Sequence, residues 1–329
     1  MKVLVIQTAF IGDVVLATPV LEQLHRFYPD AQLDILLRKG NEGLFRGHPF
    51  LNHVLIWDKK QGKYRNLLRL IRALRQRRYD LVINCQRFGA SGLLTALSGA
   101  RQSIGFDKNP FSRLFSKRVA HKIGDTHEVQ RNLTLLESLG TVAETRPRLY
   151  PTAQDEAKTA LLRQGHTYIC IAPTSVWFTK QWPAEKWTAL IRRIPASVRV
   201  FLLGGPADAQ ACADIAAASA HPDVHNLCGH LSLLESVALM RDAAMNYVND
   251  SAPMHFASSV NAPVCAVYCS TVPAFGFGPL SEQRYVIETP QPLECRPCGL
   301  HGYKACPKGH FACAMAIDPS ILPIPEAER

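Results

Sequence analysis

The sequence predicts an α/β protein of two domains, each built on a parallel β-sheet. At 329 residues the chain is longer than an ordinary single domain. Short apolar runs alternate with helical patterns along most of it, which indicates βαβ units and parallel strands. A proline-containing stretch, residues 145–155, separates two such series. We therefore predict two Rossmann-like domains, residues 1–155 and 156–329, that face one another.

The predicted strands are short apolar runs, and the predicted helices repeat apolar residues at helical spacing. The strands cover residues 3–6, 33–37, 54–57, 81–84, 168–172, 198–203, 246–249 and 264–268. The helices of the second half include residues 184–194, 207–218 and 233–241. From Pro290 onward the chain is rich in Pro, Gly and Cys, so we predict irregular structure there.

The composition excludes a disordered chain, because 47% of the residues are hydrophobic. No apolar stretch approaches the roughly 20 residues that a membrane-spanning helix needs. The first residues resemble the start of a signal peptide, but Gly12 and Asp13 interrupt them early, and a buried first strand explains them better. We expect a cytoplasmic protein whose ten cysteines are mostly reduced thiols.

The positive charge lies in the first half of the chain. The formal net charge is +10, and residues 1–150 contain 24 Lys and Arg against 12 Asp and Glu, whereas residues 151–329 contain 13 against 15. This division suggests that the first half binds an anionic partner.

The densest basic segment, residues 59–78, contains nine basic residues and no acid. Its apolar residues recur at helical spacing and are Leu67, Leu68, Ile71 and Leu74. The pattern predicts an amphipathic helix with a cationic face. That face is either a solvated surface over a buried stripe, or a docking surface for phosphate groups on a substrate or an anionic membrane.

The common nucleotide-binding motifs are missing from the sequence. It contains no Gly-x-Gly-x-x-Gly, no Gly-Lys-Ser/Thr of the Walker type and no Asp-x-Asp. A nucleotide must therefore be held by another arrangement.

Three polar segments at successive strand ends of the second half offer that arrangement. Residues 172–183 carry hydroxyls and a lysine ahead of a helix, which together can bind phosphate, although each residue alone fits a capped polar loop. Asp208 follows a Gly-Gly turn, where a carboxylate either accepts ribose hydroxyls or caps a helix. Asp250 and Ser251 end a third strand, and His255, one turn into the next helix, also fits a buried structural histidine. The hydroxyls and the lysine of the first segment are Thr174, Ser175, Thr179 and Lys180.

The chain resembles glycosyltransferase family 9, the ADP-heptose:lipopolysaccharide heptosyltransferases, over nearly its full length. The resemblance is carried by IGDVVLATPVLEQLHRFYPDA, APTSVWFTKQWP, GGPADAQ and NDSAPMHFASSVNAPVCAVYCST. It implies a GT-B architecture, in which the two domains face across a cleft, with the acceptor on the N-terminal domain and the nucleotide sugar on the C-terminal one. It also implies an enzyme that moves heptose from ADP-heptose to the anionic inner core of lipopolysaccharide. We expect peripheral contact with the inner membrane and no nucleic-acid partner.

The resemblance also implies roles for individual residues. Asp13 matches the catalytic base of an inverting, metal-independent reaction that requires no cofactor, while a helix-capping role remains the alternative from the residues alone. Lys180 and its hydroxyl neighbours match the diphosphate site, and Asp208 matches the ribose contact. Family members usually have Thr-Gly where this chain has Ser251-Ala252, and a glycine there lets the backbone approach a phosphate. The segment that matches the lining of the donor pocket includes Asp250, Ser251, Ala252 and His255.

The C-terminal cysteines have gaps of two, seven and six residues, and are Cys295, Cys298, Cys306 and Cys313. A Cys-x-x-Cys start is typical of zinc or iron sites, and His301 and His310 are alternative ligands. Related heptosyltransferases have similar tails, so the cysteines support the family more than a metal. We assign no metal to the catalytic site.

Two alternatives remain open. One is another family 9 enzyme with a different sugar or acceptor. The other is a basic nucleic-acid-binding protein with a four-cysteine metal module, which would explain the charge and the cysteines. Aromatic residues do not interleave the basic segment as they do in such sites, and the acids at the strand ends would have no role.

Overall fold

The computed structural model describes residues 1–59, 63–124, 126–143 and 145–325. The chain divides into two compact units, Met1–Tyr150 and Pro151–Arg329. The division falls inside the proline-containing stretch, ahead of the boundary that we predicted at residue 155. A helix begins at Ala153, and Thr152 with Asp155 forms its capping box, so these residues belong to the second unit.

In its described residues, the first unit contains one parallel sheet of six strands in the order β3-β2-β1-β4-β5-β6. Strand β1 lies at the centre, where Val3 is opposite Leu33 on one side and Leu81 on the other. The strands are β1 (Lys2–Gln7), β2 (Gln32–Arg38), β3 (Leu51–Trp57), β4 (Leu81–Asn84), β5 (Gln102–Phe106) and β6 (Lys117–Val119). The helices are α1 (Ile11–Leu16), α2 (Thr18–Phe27), α3 (Lys63–Arg77), α4 (Gly89–Leu97) and α5 (Glu128–Leu133).

The described part of the second unit contains a parallel sheet of the same size, in the order β12-β11-β10-β7-β8-β9. Its central strand is β10, where Tyr247 is opposite Ile171 and Cys265. The strands are β7 (Tyr168–Ala172), β8 (Arg199–Leu202), β9 (Val224–Asn226), β10 (Met245–Asn249), β11 (Val264–Tyr268) and β12 (Arg284–Glu288). The helices are α6 (Ala153–Arg163), α7 (Ala184–Ile191), α8 (Ala209–Ser219), α9 (Leu233–Arg241), α10 (Ala252–Ser259) and α11 (Ala312–Met315).

The α/β class and the parallel sheets that the sequence predicts are confirmed. The predicted strands all form, and β4, β7 and β11 begin and end where we placed them. We did not predict β5, β6, β9 and β12. The last three are edge strands with exposed or half-exposed residues, so they lack the buried apolar run that marks a central strand. Strand β5 carries Ser103 and Gly105 in its short run.

Helix α3 is the predicted amphipathic helix. Lys60, in the basic segment that precedes it, lies outside the described residues. Leu67, Ile71 and Leu74 are buried against the sheet. Leu68 does not belong to the buried stripe as we predicted, because its side chain is 58% exposed. The face that α3 presents to solvent carries Arg65, Arg69, Arg72 and Arg75.

The chain after Pro290 is mostly irregular, as predicted, but it is partly buried. Cys313, Ile317 and Leu322 pack into the same hydrophobic core as Trp182 and Trp187. This tail is therefore an integral part of the second unit.

Candidate functional site

Each sheet has a place where the strand order reverses. In the first unit the chain proceeds outward from β1 in one direction and from β4 in the other, and in the second unit the same holds for β7 and β10. The loops that leave the carboxyl ends of such neighbours diverge and form a crevice in which α/β proteins bind ligands. Asp13 follows β1, Lys180 follows β7 and Asp250 follows β10.

An ion pair lies at the strand-order reversal of the second unit. The Nζ atom of Lys180 lies 2.7 Å from Oδ2 of Asp250, and the two side chains are 15% and 7% exposed. Thr271, which follows β11, donates a hydrogen bond of 2.6 Å to the same oxygen. The structure thus brings together two residues that the sequence placed at separate strand ends. A largely buried ammonium at this position can contact an anionic ligand.

Asn249 fixes the loop after β7 to the end of β10. Its amide nitrogen donates to the carbonyl of Pro173 at 2.8 Å, and its carbonyl oxygen accepts from the backbone of Trp182 at 2.9 Å. The side chain is fully buried. Sequence reasoning missed Asn249, although an amide side chain as the last residue of a buried strand was a visible sign.

The hydroxyls of the loop after β7 divide into two groups. Thr174 and Ser175 are half-buried at the strand end. Thr179 is 1% exposed, and its hydroxyl accepts from the backbone nitrogen of Tyr303 at 2.7 Å and from the Ser270 hydroxyl at 3.0 Å. We placed Thr179 in a phosphate site, but in this structure its hydroxyl attaches the C-terminal tail to the loop.

The tail approaches the loop after β7 closely at Gly302, which is why this position holds a glycine. Its φ of +76° is also in the left-handed region, which favours glycine. A Cβ atom there would lie 2.9 Å from Oγ1 of Thr179 and 3.3 Å from Cγ of Lys180. A side chain at this position would therefore displace the segment that carries Lys180.

The remaining predicted donor-site residues lie on the neighbouring loops. Asp208 follows β8, is half-buried, and accepts from the backbone nitrogen of Gly205 at 2.8 Å. Ser251 is the N-cap residue of α10, and Ala252 begins that helix. His255 lies one turn further and is 4% exposed.

In the first unit, Asp13 lies in the first turn of α1 and is half-buried. The N-cap residue of that helix is Phe10. Thr8 at the end of β1 donates a hydrogen bond of 2.8 Å to the side-chain oxygen of Gln86, which follows β4. This hydrogen bond therefore joins the carboxyl ends of the two central strands, just before the helix that carries Asp13.

Exposed aromatic rings and cations surround this strand end. Phe10 and Phe88 are 55% and 58% exposed, and their rings lie under the guanidinium groups of Arg38, at 5.0 Å, and Arg87, at 5.5 Å. Sequence reasoning missed both rings. Aromatic faces can pack against a sugar, and guanidinium groups can pair with carboxylate or phosphate.

A second carboxyl of the first unit, that of Glu128, is buried and interacts electrostatically with Asp13. Glu128 begins α5 and pairs with Arg131, and both side chains are buried. Burial raises the pKa of Glu128 to about 7, the Arg131 guanidinium opposes that rise, and the charge of Asp13 adds to it. Arg131 also donates to the carbonyl of Thr126 at 2.9 Å.

The four cysteines of the tail line a cavity of about 220 Å³ together with His310. Burial and the neighbouring thiols raise the pKa of Cys313 to about 11, so it is a neutral thiol at physiological pH. Within the described ranges, His, Cys, Asp and Glu side chains form no group of three or more that could hold a metal ion.

The helices in the described part of the chain are each too short or too polar to cross a membrane.

Comparison with known proteins gives a consistent family. The model of "Glycosyltransferase family 9 (heptosyltransferase)" matches residues 67–302. "Lipopolysaccharide heptosyltransferase 3" of Escherichia coli K12 is 33% identical over 282 residues, which are 79% of this chain and 80% of that protein.

Two solved structures have the same fold. The ADP-heptose lipopolysaccharide heptosyltransferase II of E. coli has a TM-score of 0.80 and 23% identity, over 97% of this chain and 96% of that one. The E. coli heptosyltransferase WaaC, solved with ADP-2-deoxy-2-fluoro heptose, has a TM-score of 0.73 and 21% identity, over 88% of this chain and 94% of that one.

Proposed function

Because the chain belongs to glycosyltransferase family 9 and is a heptosyltransferase of lipopolysaccharide core biosynthesis with the GT-B fold, we propose that it transfers heptose from ADP-heptose to an anionic core acceptor. We assign the donor to the second unit and the acceptor to the first. The proposed reaction inverts the anomeric centre and uses Asp13 as its base.

The observation that carries this proposal is the Lys180–Asp250 pair at the strand-order reversal of the second unit. When the bond between the sugar and ADP breaks, negative charge grows on the diphosphate. A fixed, largely buried ammonium stabilises that charge more than a solvated lysine does. This supports a departure of ADP that needs no metal in the catalytic site. Thr174 and Ser175 supply further donors, and Asp208 is available to accept from the ribose.

The acceptor reaction needs a base, because a neutral sugar hydroxyl is a poor nucleophile. A carboxylate within hydrogen-bond reach takes the hydroxyl proton as the oxygen attacks the anomeric carbon. Direct attack opposite the leaving ADP gives inversion. The position of Asp13 at the carboxyl end of β1, beside the reversal of strand order, supports it as that base.

The surface of the first unit suits an anionic acceptor. Arg38 and Arg87 flank the loop of Asp13, and the exposed arginines of α3 extend the positive charge. We assign α3 to peripheral contact with anionic lipid at the cytoplasmic face of the inner membrane, where a lipid-linked acceptor would be presented.

Asp13→Asn tests the assignment of the base. Asparagine keeps nearly the size and shape of aspartate but cannot accept the proton. We expect kcat to fall by about 10²- to 10⁴-fold, with the melting temperature and the ADP affinity nearly unchanged. Asp30→Asn is the matched control. Asp30 is exposed and lies just before β2, at the amino ends of the strands, whereas Asp13 follows the carboxyl end of β1. Turnover of Asp13→Asn within a few-fold of wild type would mean that another group is the base.

A further inference from the structure

We propose that Phe10 and Phe88 bind sugar rings of the acceptor, and that the guanidinium group over each ring holds an anionic group of the same acceptor. Arg38 supplies the guanidinium over Phe10. Arg87 supplies the one over Phe88. We call each ring with its guanidinium an aromatic–arginine pair. The inference rests on the proposed function, because it assigns recognition of the acceptor to named residues of the first unit.

The two rings occupy equivalent positions after the two central strands of the first sheet. Strands β1 and β4 are hydrogen-bonded neighbours, and beyond their ends the Thr8 hydroxyl donates to the side-chain oxygen of Gln86 at 2.8 Å. Phe10 and Phe88 each follow two residues later. Each is the N-cap residue of the next helix, α1 or α4. Both pairs therefore lie at the carboxyl ends of strands between which the strand order reverses, where α/β proteins bind ligands.

Neither ring has a role in stabilising the fold that explains its position. Phe10 is 55% exposed and Phe88 is 58% exposed, so most of each side chain gains nothing from burial. Neither side chain caps its helix. Ser, Thr, Asp and Asn are preferred at an N-cap because their oxygen accepts from a backbone N–H, which phenylalanine cannot do. A single exposed ring is unremarkable, but two rings at equivalent cap positions, each beside a guanidinium, indicate binding.

Hydrogen bonds from buried side chains fix the loops that carry the rings. Asn109 is 2% exposed, and its amide nitrogen donates to the carbonyls of Gln86 at 3.1 Å and Phe88 at 2.9 Å. Asn41 is 5% exposed and donates to the carbonyl of Ala9, next to Phe10, at 3.2 Å. Loops that are ordered before binding lose little conformational entropy when a ligand arrives.

The chemistry of each pair fits a sugar that carries a negative charge. The guanidinium carbon of Arg38 lies 5.0 Å from the centre of the Phe10 ring, and that of Arg87 lies 5.5 Å from the centre of the Phe88 ring. This cation–π contact holds the planar donors of the arginine beside an open aromatic surface. The C–H face of a sugar can pack on the ring, while the guanidinium donates paired hydrogen bonds to a carboxylate or a phosphate.

The first test replaces the rings and uses a water-soluble acceptor, the deacylated inner-core oligosaccharide, so that membrane binding has no influence. Phe10→Leu and Phe88→Leu keep an apolar side chain and remove the aromatic face. We expect each variant to raise the acceptor KM by about 2- to 10-fold, the range expected for the loss of an aromatic contact. The melting temperature and the ADP affinity should stay at wild-type values, because both side chains are exposed.

The second test removes the charges and leaves the rings. Arg38→Gln and Arg87→Gln should each raise the acceptor KM by about 10-fold or more, the effect of losing a hydrogen bond to a charged group. Repeating the measurement with phosphatase-treated acceptor identifies the anionic group. The difference between the variants and the wild type should disappear if that group is a phosphate and persist if it is a carboxylate.

Tyr285→Leu is the matched control, because Tyr285 is an exposed aromatic residue near the amino end of the edge strand β12 in the second unit. Its acceptor KM should equal that of the wild type. A wild-type KM in both phenylalanine variants, or in both arginine variants, would overturn the inference. Weaker binding to lipid vesicles with an unchanged KM for the soluble acceptor would also overturn it, since the rings would then bind lipid. Failure of the proposed function is distinguishable, because the wild type itself would then transfer no heptose to this acceptor.

Discussion

Replacing Lys180 by methionine should separate its part in the fold from its part in donor binding. Methionine keeps most of the volume of lysine and removes the charge. The change leaves Asp250, 7% exposed, with the Thr271 hydroxyl as its partner. Breaking a buried ion pair on one side costs about 3–5 kcal/mol. Since the Lys180 side chain remains 15% exposed, we expect a loss near the lower end of that range in the free energy of unfolding.

The double variant Lys180→Met/Asp250→Asn distinguishes the two roles. An asparagine amide can still accept from Thr271, so most of the lost stability should return. The ADP affinity should not return, because the ammonium that we propose as the partner of the diphosphate is absent from both variants. A hydrogen bond to a charged group contributes about 1.5–3 kcal/mol, so ADP should bind roughly 10- to 150-fold more weakly.

Urea unfolding measures the stability, and titration calorimetry with ADP measures the affinity. Lys308→Met, at an exposed position of the same unit, is the control and should change neither. If the double variant recovers ADP affinity together with stability, Lys180 contributes only through the fold. If Lys180→Met binds ADP as tightly as the wild type, the diphosphate lies elsewhere.

Two further predictions concern the first unit. Replacing Arg69, Arg72 and Arg75 by glutamine should raise the acceptor KM and weaken binding to vesicles of anionic lipid, without changing ADP affinity. Unchanged kinetics and vesicle binding would mean that the cationic face of α3 is only solvated. The pKa of Glu128 rises from 4.5 to about 7 on folding, so the folded protein keeps a proton that the unfolded chain releases in that window. The free energy of unfolding should therefore fall as pH rises through this window, and less steeply in Glu128→Gln. Urea unfolding across this pH window measures the slope of stability against pH in the wild type and in Glu128→Gln. Equal slopes would contradict the raised pKa of Glu128.

The sequence predicts central strands better than edge strands, and the reason is burial. Strand β7 (Tyr168–Ala172) is covered on both faces, so all its residues are apolar and its limits are visible. Strand β12 (Arg284–Glu288) has one neighbour and exposed side chains, so its residues are mixed. Such a strand forms because the neighbouring strand offers backbone hydrogen bonds, which leave no pattern in its own residues.

The sequence likewise predicts some contacts of the candidate site and not others. Lys180 and Asp250 could be placed near each other in advance, because parallel strands bring their carboxyl ends to one edge of a sheet. The Thr179–Tyr303 contact could not, because it joins residues 124 positions apart without any local pattern. Glu128 was missed because its raised pKa depends on burial, which is a property of the packed chain and leaves no local pattern in the sequence.

The attachment of the tail to the loop after β7 has a consequence for synthesis. Thr179 leaves the ribosome 124 residues before Tyr303, the residue whose backbone it binds. The segment after β11 is likewise translated before its partner Arg296, which donates to the carbonyls of Cys269 and Thr271. The central strands of the second sheet are therefore translated well before the loop around Lys180 gains its support. Completion of this loop is a late event in translation, and a chain that stops short of the tail lacks the contacts that hold the segment around Lys180.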